Sequence, residues 1–344
     1  MNNSIIAIDL FCGAGGLTQG LKEAGFDVIG AVEKEKLVSN TYNLNHPKVH
    51  LWNKDIQKLT GKEVMEILNI QKGELDLLAG CPPCQGFSSM RTKNGSSSVD
   101  DERNDLVFEM MRLVEELLPK AVMMENVPGL AKDPRIDKVL ARLQSLGYHV
   151  DDETVQVHDI SKYGVPQRRK RMILMTGLNQ KIPFAQPEKI TKTVRHILEK
   201  IPSPGTGNDP LHDYPVNRTP KIARMISRVP KDGGSRSDLP LEDWLPCHIR
   251  YPKGFKDVYG RMKWDSVSPT ITGGCINPSK GRFLHPEENR AITLREALLL
   301  QTFPKNYKFP ANIARDRIAL MIGNALPPHY IKKHAEEIKA TIMK

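Results

Sequence analysis

A glycine-rich turn between a short apolar run and a helical pattern is the feature that most limits how this chain can fold. The run SIIAIDL at residues 4–10 has the length of a buried strand, and FCGAGGLT follows at residues 11–18. Glycines in such a turn let the backbone approach a ligand closely, and the start of the next helix offers amide donors. The pattern predicts the strand, turn and helix with which doubly wound α/β sheets bind nucleotides.

Acidic residues stand at the ends of three successive apolar runs in this part of the chain, namely Asp9, Glu33 and Asp55. An acid at the position of Glu33 can accept hydrogen bonds from a ribose diol, whereas Asp55 with Ile56 suits the amino group and ring face of an adenine. Any one of these acids could be a solvated loop charge. The three together, after a glycine turn, favour a nucleoside cofactor.

Two cysteines, Cys81 and Cys84, follow the next apolar run in the sequence GCPPCQGFS at residues 80–88. Their position predicts the rim of the sheet. A CxxC pair can be a redox pair, half of a zinc site or simple packing, and the sequence has no second such pair to complete a zinc site. On this motif alone, a nucleophilic cysteine and a structural one both remain open.

Two further motifs follow later apolar runs. Glu125 begins the sequence ENV at the end of one run, and Gln167, Arg169 and Arg171 alternate at the start of another. Alternation predicts that the last three side chains share one face of an extended segment. That face is either a solvated basic edge or a contact for an anion or a base edge. The polar segment at 88–104 is a surface connection or a lid, and the sequence slightly favours the connection.

The composition is that of an ordinary globular protein of 344 residues, with a formal net charge of +10 and an isoelectric point of about 9.3. This charge suits a polyanion and favours nucleic acid over a membrane, although excess lysine is also common on plain surfaces. Five irregularly spaced cysteines predict free thiols, and the histidines suggest no metal site. The sequence shows neither a signal peptide nor a membrane-spanning run, so we expect a cytoplasmic protein.

The amino-acid composition changes between residues 186 and 290. This stretch holds 22 of the 50 Gly and Pro residues, and 18 Lys and Arg against 12 Asp and Glu. A small loop-rich domain with a basic balance suited to phosphate contacts would look like this, and a poorly ordered insertion is the alternative.

Taken in order, these motifs resemble those of the DNA cytosine-5 methyltransferases of bacterial restriction-modification systems over nearly the whole chain. DLFCGAGGLT resembles the cofactor loop of the family, GCPPCQGFS its nucleophile motif, ENV its acid motif, and Gln167, Arg169 and Arg171 its QxRxR motif. REALLLQTFP and GNALPP, near the end of the chain, resemble its two closing motifs. The resemblance implies an α/β fold: a Rossmann-like S-adenosylmethionine-dependent methyltransferase sheet with helices on both faces, plus a small loop-rich target recognition domain.

The resemblance also implies a domain organisation. Residues 1–185 would form the catalytic, cofactor-binding domain and residues 186–290 the target recognition domain. Within the latter, Thr270 and Ile271 resemble the threonine-aliphatic pair of the family. Residues 291–344 would return to the catalytic domain.

The implied methyl donor is S-adenosyl-L-methionine, with S-adenosyl-L-homocysteine as product. Glu33 would hold the ribose hydroxyls, and Asp55 with Ile56 would meet the adenine. The other implied cofactor contacts are Phe11, Gly13, Ala14, Gly15, Pro83, Leu106 and Asn324. Lys34 departs from the family pattern, because bacterial members often carry an aromatic residue there that packs on the adenine; a lysine stem could cover the ring instead.

The implied catalytic residues are Cys84, Glu125, Arg169 and Arg171. Cys84 would add to carbon 6 of a flipped-out cytosine in double-stranded DNA, and Glu125 would assist at ring nitrogen 3. Arg171 would contact the carbonyl of the base, and Arg169 would orient Glu125 or the base. Cys81 would be a small buried residue in support, and segment 88–104 would close as a lid.

We expect a monomer that needs no metal, contacts no membrane and shares its DNA site with a restriction endonuclease without touching it. The nearest alternative is a transfer-RNA cytosine-5 methyltransferase of the same fold, but the CFT-type signature of that relative is absent. A catalytically silent DNA-binding module would be expected to lack PCQ or ENV, and this chain keeps both.

Overall fold

The structure is a computed structural model that describes residues 4–83, 105–252 and 254–344. The chain divides into two compact units. The first comprises residues 1–163, 170–187 and 326–344, and the second comprises residues 164–169 and 188–325. Residues 291–325, which the sequence analysis placed in a segment returning to the catalytic domain, therefore pack within the second unit.

A seven-stranded sheet forms the centre of the first unit within the described residues. Its strands are β1 (Ile6–Leu10), β2 (Asp27–Val32), β3 (His50–Trp52), β4 (Leu77–Gly80), β5 (Ala121–Asn126), β6 (Val155–Asp159) and β7 (Lys170–Gly177). They lie in the order β3-β2-β1-β4-β5-β7-β6. Neighbours among β1 to β5 pair in parallel, and β7 runs antiparallel to β5 and β6. The chain order reverses between β1 and β4, so their carboxyl ends flank a switch point where such sheets bind ligands.

The helices α1 (Gly16–Glu23), α2 (Lys36–Asn45), α3 (Gly61–Leu68), α4 (Leu106–Leu117) and α5 (Pro134–Ser145) also belong to the first unit. Every residue of β4 and β5 is buried. Because successive side chains of a strand point to opposite faces, the sheet is covered on both sides. The predicted α/β class is confirmed.

The second unit contains the helices α6 (Val194–Leu198), α7 (Pro220–Arg228), α8 (Pro246–Arg250), α9 (Leu294–Leu300) and α10 (Arg315–Asn324). Among its described residues the strand pairing is limited to isolated bridges. A small apolar core lies between α7 and the loops that follow it, formed by Met225, Ile226, Val229, Leu239, Tyr259 and Leu284. This unit is loop-rich, as the Gly and Pro content of residues 186–290 predicts.

Arg261 holds the loops around this small core together. Its side chain is fully buried, and its guanidinium donates to the carbonyls of Ile226 and Val229 at 2.8 and 3.0 Å. It donates as well to the carbonyls of His285 and Glu288 and to the side-chain oxygen of Asn289. All five acceptors are uncharged oxygens, so hydrogen bonds rather than an acidic partner stabilise this buried charge.

The last helix, α11 (Pro328–Ile342), belongs to the first unit and packs on α1. The contact is close because α1 carries a glycine there. A Cβ atom added at Gly20 would lie 2.5 Å from the carbonyl oxygen of Pro328 and 2.6 Å from Cβ of Ile331. The Lys339 ammonium also donates to the carbonyl of Gly25, which follows α1, at 3.4 Å. Helices from opposite parts of the sequence therefore meet against one another.

Candidate active site

The glycine turn after β1 has the backbone geometry that close approach to a ligand requires. Phe11, Gly13 and Gly15 have positive φ angles of 59°, 54° and 91°. The Gly15 amide donates to the carbonyl of Cys12 at 2.9 Å, and Gly15 is the N-cap of α1. A Cβ atom at Gly13 would meet nothing within 4 Å among the residues that the structure describes. Gly13 therefore faces open space, and its left-handed conformation favours glycine.

Glu33 follows β2 and is held beside this turn. Its Oε2 accepts a hydrogen bond from the amide of Gly13 at 3.1 Å, and its Oε1 accepts one from the amide of Glu35 at 2.7 Å. Burial raises the pKa of Glu33, and the two amide bonds oppose that shift. Because a carboxylate has about four acceptor positions, the fixed side chain keeps capacity for hydroxyl donors.

Asp55 lies at the next strand end and is paired with Lys34. Its Oδ2 accepts from Nζ of Lys34 at 2.6 Å, and its Oδ1 accepts from the amide of Gln57 at 3.2 Å. The hydrogen bond from Lys34 lowers the pKa of Asp55. Neighbouring Ile56 is buried in the core of the sheet. The departure from the family pattern at Lys34 thus coincides with a direct contact to the residue predicted to meet the adenine.

Asp9, the first of the three strand-end acids, has a structural role. Its Oδ2 accepts from the amide and the hydroxyl of Thr18 at 3.0 and 2.6 Å, which ties β1 to α1. The Thr18 hydroxyl lies 2.8 Å from that of Tyr42. Complete burial raises the pKa of Asp9 to about 7. Asp9 therefore ties β1 to α1 from inside the unit, whereas Glu33 and Asp55 are only partly buried.

The catalytic acid predicted from the ENV motif meets an arginine of the QxRxR motif. Glu125 on β5 pairs with Ile173 on β7, so Arg171 lies two residues away on the same face of β7. Nε of Arg171 is 2.6 Å from Oε1 of Glu125, and the two side chains are 16% and 8% exposed. The structure thus brings Glu125 and Arg171 together as a largely buried ion pair.

The ENV motif is also tied to the turn that leads towards Cys84. The side-chain amide of Asn126 donates to the carbonyl of Pro82 at 3.0 Å, and its oxygen accepts from the amide of Val127 at 2.8 Å. The prolines after β4 are thereby fixed beside the end of β5. Cys84 itself and the predicted lid at 88–104 lie outside the described residues.

Cys81 is described, and it lies beside Glu125. It comes directly after β4, whose last residue, Gly80, pairs with Met124 of β5. Burial, followed by the charge of the neighbouring Glu125, raises the pKa of the Cys81 thiol well above its usual range. The prediction that Cys81 is a small buried residue in support is wrong on burial, because Cys81 is only half-buried at the end of the strand. Its place one residue beyond β4 was the signal for its position beside Glu125.

The other two residues of the QxRxR motif belong to the second unit, so the three side chains do not share one strand. Gln167 accepts a hydrogen bond from the amide of Ile271 at 2.8 Å. Arg169 is buried and donates to the carbonyl of Gly323 at 3.0 Å. Only Arg171 lies on β7, because the strand begins at Lys170.

The remaining predicted cofactor contacts have diverse surroundings. Ala14 is buried, and Pro83 and Leu106 are half-buried in the first unit. Asn324 is the last residue of α10 in the second unit and is exposed. Within the described parts of the chain, no group of three or more His, Cys, Asp or Glu side chains is arranged to hold a metal ion.

Comparison of the chain with known protein families identifies its family. A model of the C-5 cytosine-specific DNA methylases matches residues 5–340. The chain belongs to this family. It is a DNA cytosine-5 methyltransferase, and relatives that match over nearly its whole length agree with that assignment.

Two relatives illustrate the match. The Type II methylase M.HgiDII of Herpetosiphon aurantiacus is 34% identical over 345 residues, which cover 96% of this methyltransferase and 94% of the relative. The Type II methyltransferase M1.HphI of Haemophilus parahaemolyticus is 32% identical over 343 residues, which cover 97% and 87% of the two chains. Both relatives are named as Type II enzymes.

A solved structure supports the fold. A candidate DNA modification methyltransferase encoded within an Escherichia coli prophage superimposes on 99% of this methyltransferase and 100% of its own chain, with a TM-score of 0.72 at 24% identity.

None of the helices in the described residues is long and apolar enough to cross a membrane.

Proposed function

We propose that this methyltransferase uses S-adenosyl-L-methionine to methylate carbon 5 of a cytosine flipped out of a specific double-stranded DNA sequence. The observation that carries the proposal is the buried pair of Glu125 and Arg171 beside the turn at Pro82. That turn belongs to the motif that contains Cys84, and we propose that the acid, the base-contacting arginine and the nucleophile act together at this edge of the sheet.

The residues at the switch point fit the proposed cofactor. Among the described residues nothing lies within 4 Å of a Cβ position at Gly13, which suits a ligand held against the backbone. The fixed carboxylate of Glu33 suits a ribose diol. Asp55 offers an acceptor for the adenine amino group, and Lys34 lies next to it. When bound, S-adenosyl-L-methionine supplies an electrophilic methyl group.

Carbon 5 of cytosine is too weak a nucleophile to react without activation. We assign that activation to Cys84, whose thiolate adds to carbon 6, so that a carbon–sulfur bond forms and electron density moves towards carbon 5 and nitrogen 3. An unperturbed cysteine with a pKa of about 8.5 is only a few per cent ionised at neutral pH, so a nearby cation should assist. Arg171 is the cation that the described residues place closest to the acid.

Glu125 assists at ring nitrogen 3 by donating a proton or a hydrogen bond, which stabilises the charge created by the attack. Arg171 fixes the carboxylate through its Nε and can reach towards the base carbonyl. After carbon 5 has accepted the methyl group, a base removes the proton at carbon 5. The carbon–sulfur bond then breaks, and the thiolate of Cys84 leaves. Arg169 orients Glu125 or the base in this proposal.

This chemistry requires an extrahelical base, because carbon 6 cannot be reached within a stacked duplex. The segment 88–104 is proposed as the lid that closes behind the flipped cytosine, and residues 186–290 as the target recognition domain. The net charge of +10 suits the DNA backbone. The Type II names of the relatives support an enzyme of a restriction-modification system. We propose that it acts as a monomer and shares its site with an endonuclease.

The transfer-RNA alternative is not favoured, because the matching family and the Type II relatives are DNA methylases. Bisulfite sequencing of DNA from cells that express the enzyme tests the proposal, and we expect methylation at every copy of one short sequence. Cells expressing Cys84→Ala should show none, although the purified variant should still bind S-adenosyl-L-homocysteine. Labelled methyl groups that enter total transfer RNA and not DNA would refute the proposal.

A further inference from the structure

We propose that Cys81 is a positioning residue for Glu125, with its thiol donating a hydrogen bond to the carboxyl group that acts at the cytosine ring. The inference rests on the proposed role of Glu125 and adds a second group that controls it. It separates the two cysteines of the GCPPCQGFS motif by chemistry, since one is a donor to the acid and the other is the nucleophile.

Strand register brings the two side chains together. Parallel β4 and β5 pair Leu78 with Val122 and Gly80 with Met124. One residue further along, Cys81 and Glu125 are therefore neighbours at the carboxyl ends of adjacent strands. Neighbouring strands lie about 4.8 Å apart in the sheet, which is within reach of a thiol and a carboxylate.

Backbone and side-chain bonds on both sides of Cys81 fix this relationship. The Cys81 amide donates to the carbonyl of Leu10 at 3.2 Å, which extends the pairing of β4 with β1 by one residue. At the next residue, the carbonyl of Pro82 accepts from Asn126 at 3.0 Å. Cys81 is thus anchored to β1 and to the segment that carries Glu125, so a change at its thiol acts on a rigid frame.

The charges that face the Cys81 thiol favour its protonated form. Glu125 and Asp9 are acidic, and Arg171 is the opposing cation. Burial acts in the same direction as the two acids and raises the pKa of the thiol. A thiol that stays protonated is a poor nucleophile but retains its hydrogen as a donor. Position 81 is therefore suited to orienting the acid rather than attacking the base.

The donor has a predictable effect on the reaction. A hydrogen bond to a carboxylate stabilises its ionised form, so loss of the donor makes Glu125 hold its proton to higher pH. The falling limb of the pH–rate profile, which reports ionisation of Glu125 in the proposed mechanism, should then move upwards. Poorer orientation of the acid should also slow the chemical step without weakening DNA or cofactor binding.

The test compares Cys81→Ala, Cys81→Ser and the control Ser145→Ala, which removes an exposed hydroxyl at the end of α5 in the first unit. For Cys81→Ala we expect kcat to fall about tenfold, KM for DNA to stay constant and the falling limb to move to higher pH. Cys81→Ser retains a donor and should keep kcat within about threefold of the wild type. Ser145→Ala should behave as wild type, and thermal unfolding should verify that all variants are folded.

Measuring Glu125→Gln in parallel distinguishes failure of the inference about Cys81 from failure of the proposed function. Wild-type rate in Glu125→Gln would overturn the role of the acid and this inference with it. If Glu125→Gln is slow while Cys81→Ala keeps the wild-type kcat and pH profile, the positioning role alone is refuted. A Cys81→Ser variant as slow as Cys81→Ala would also refute it, because the donor would then not be what matters.

Discussion

Nε of Arg171 lies 2.6 Å from Oε1 of Glu125 across the antiparallel pair of β7 and β5. Both side chains are largely buried, so their interaction is screened by water far less than that of a surface pair. The carboxylate therefore has one oxygen held by a guanidinium before any base arrives. In the proposed mechanism, this ion pair orients the acid in advance for stabilising charge in the transition state.

Replacing Arg171 with lysine should slow methylation, because it disturbs the orientation of Glu125. A lysine keeps the positive charge but loses the planar set of donors with which arginine meets a carboxylate. We expect kcat to fall by about 100-fold, corresponding to about 2.7 kcal/mol. Single-turnover methylation of a DNA duplex measures this, and calorimetry should find unchanged affinity for S-adenosyl-L-homocysteine. A rate within about twofold of the wild type would show that charge alone is sufficient.

Glu33→Gln should weaken cofactor binding. The neutral amide has one acceptor oxygen where the carboxylate has two, and Glu33 already uses both of its oxygens for the amides of Gly13 and Glu35. We expect the affinity for S-adenosyl-L-homocysteine, measured by calorimetry, to fall about 10- to 100-fold. Glu35→Gln is the matched control, because that exposed side chain is adjacent but turned to solvent. Equal affinities for the two variants would contradict the assignment of Glu33.

Histidines inside the first unit predict how its stability depends on pH. Burial lowers the pKa of His158 to about 4 and that of His334 to about 3. The rings stack at 5.3 Å, and His158 lies 3.0 Å from the hydroxyl of Tyr330. Each folded-state pKa is below the unfolded value of about 6.5, so the unfolded chain takes up protons first as the pH falls. Each histidine should therefore remove stability below pH 6.5, by up to about 1.4 kcal/mol per pH unit.

His334→Asn isolates this contribution. Asparagine does not titrate, and its side-chain oxygen can replace Nδ1 of His334 as acceptor for the amide of Ala185. Urea unfolding of both proteins between about pH 7.5 and 5 should give a smaller loss of stability on acidification for the variant. Asp9, whose raised pKa acts with the opposite sign in this range, is common to both proteins and cancels in the difference. Parallel pH dependences would count against a buried neutral His334.

Arg261→Lys should destabilise the second unit. The fully buried guanidinium satisfies five acceptors, whereas a lysine has three donors on a single atom and cannot reach all of them. We expect a loss of about 3 kcal/mol, or a lowering of the unfolding temperature by about 10 °C. Differential scanning calorimetry measures this, with Arg224→Lys on the exposed surface of α7 as control. Equal unfolding temperatures for the two variants would contradict the structural role of Arg261.

The sequence was most informative where function depends on local chain geometry. The strand, glycine turn and helix around Gly13 could be predicted because the φ angles, the strand and the helix start all depend on neighbouring residues. The acid at the end of β5 was predictable for the same reason. A buried parallel strand is a continuous apolar run, and a polar residue that follows it lies at the edge of the sheet.

Contacts between residues that are distant in the sequence were harder to predict. The alternation of Gln167, Arg169 and Arg171 predicts one extended segment, but the first two precede β7 and form tertiary hydrogen bonds within the second unit. The position of Cys81 beside Glu125 depends on the register of β4 against β5, and no spacing within one motif encodes that register. The prediction that segment 88–104 is a lid and that Cys84 is the nucleophile stays a prediction.

The packing of α11 on α1 has a consequence for synthesis in the cell. Gly20 and Ile331 are in close contact, yet the whole second unit separates them in the sequence. At about 5–20 residues per second, α1 must wait tens of seconds on the ribosome before its partner helix has been made. During this time the apolar surface destined for α11 is exposed to chaperones and proteases. The second unit, which is nearly continuous in the chain, can fold while the first is still incomplete.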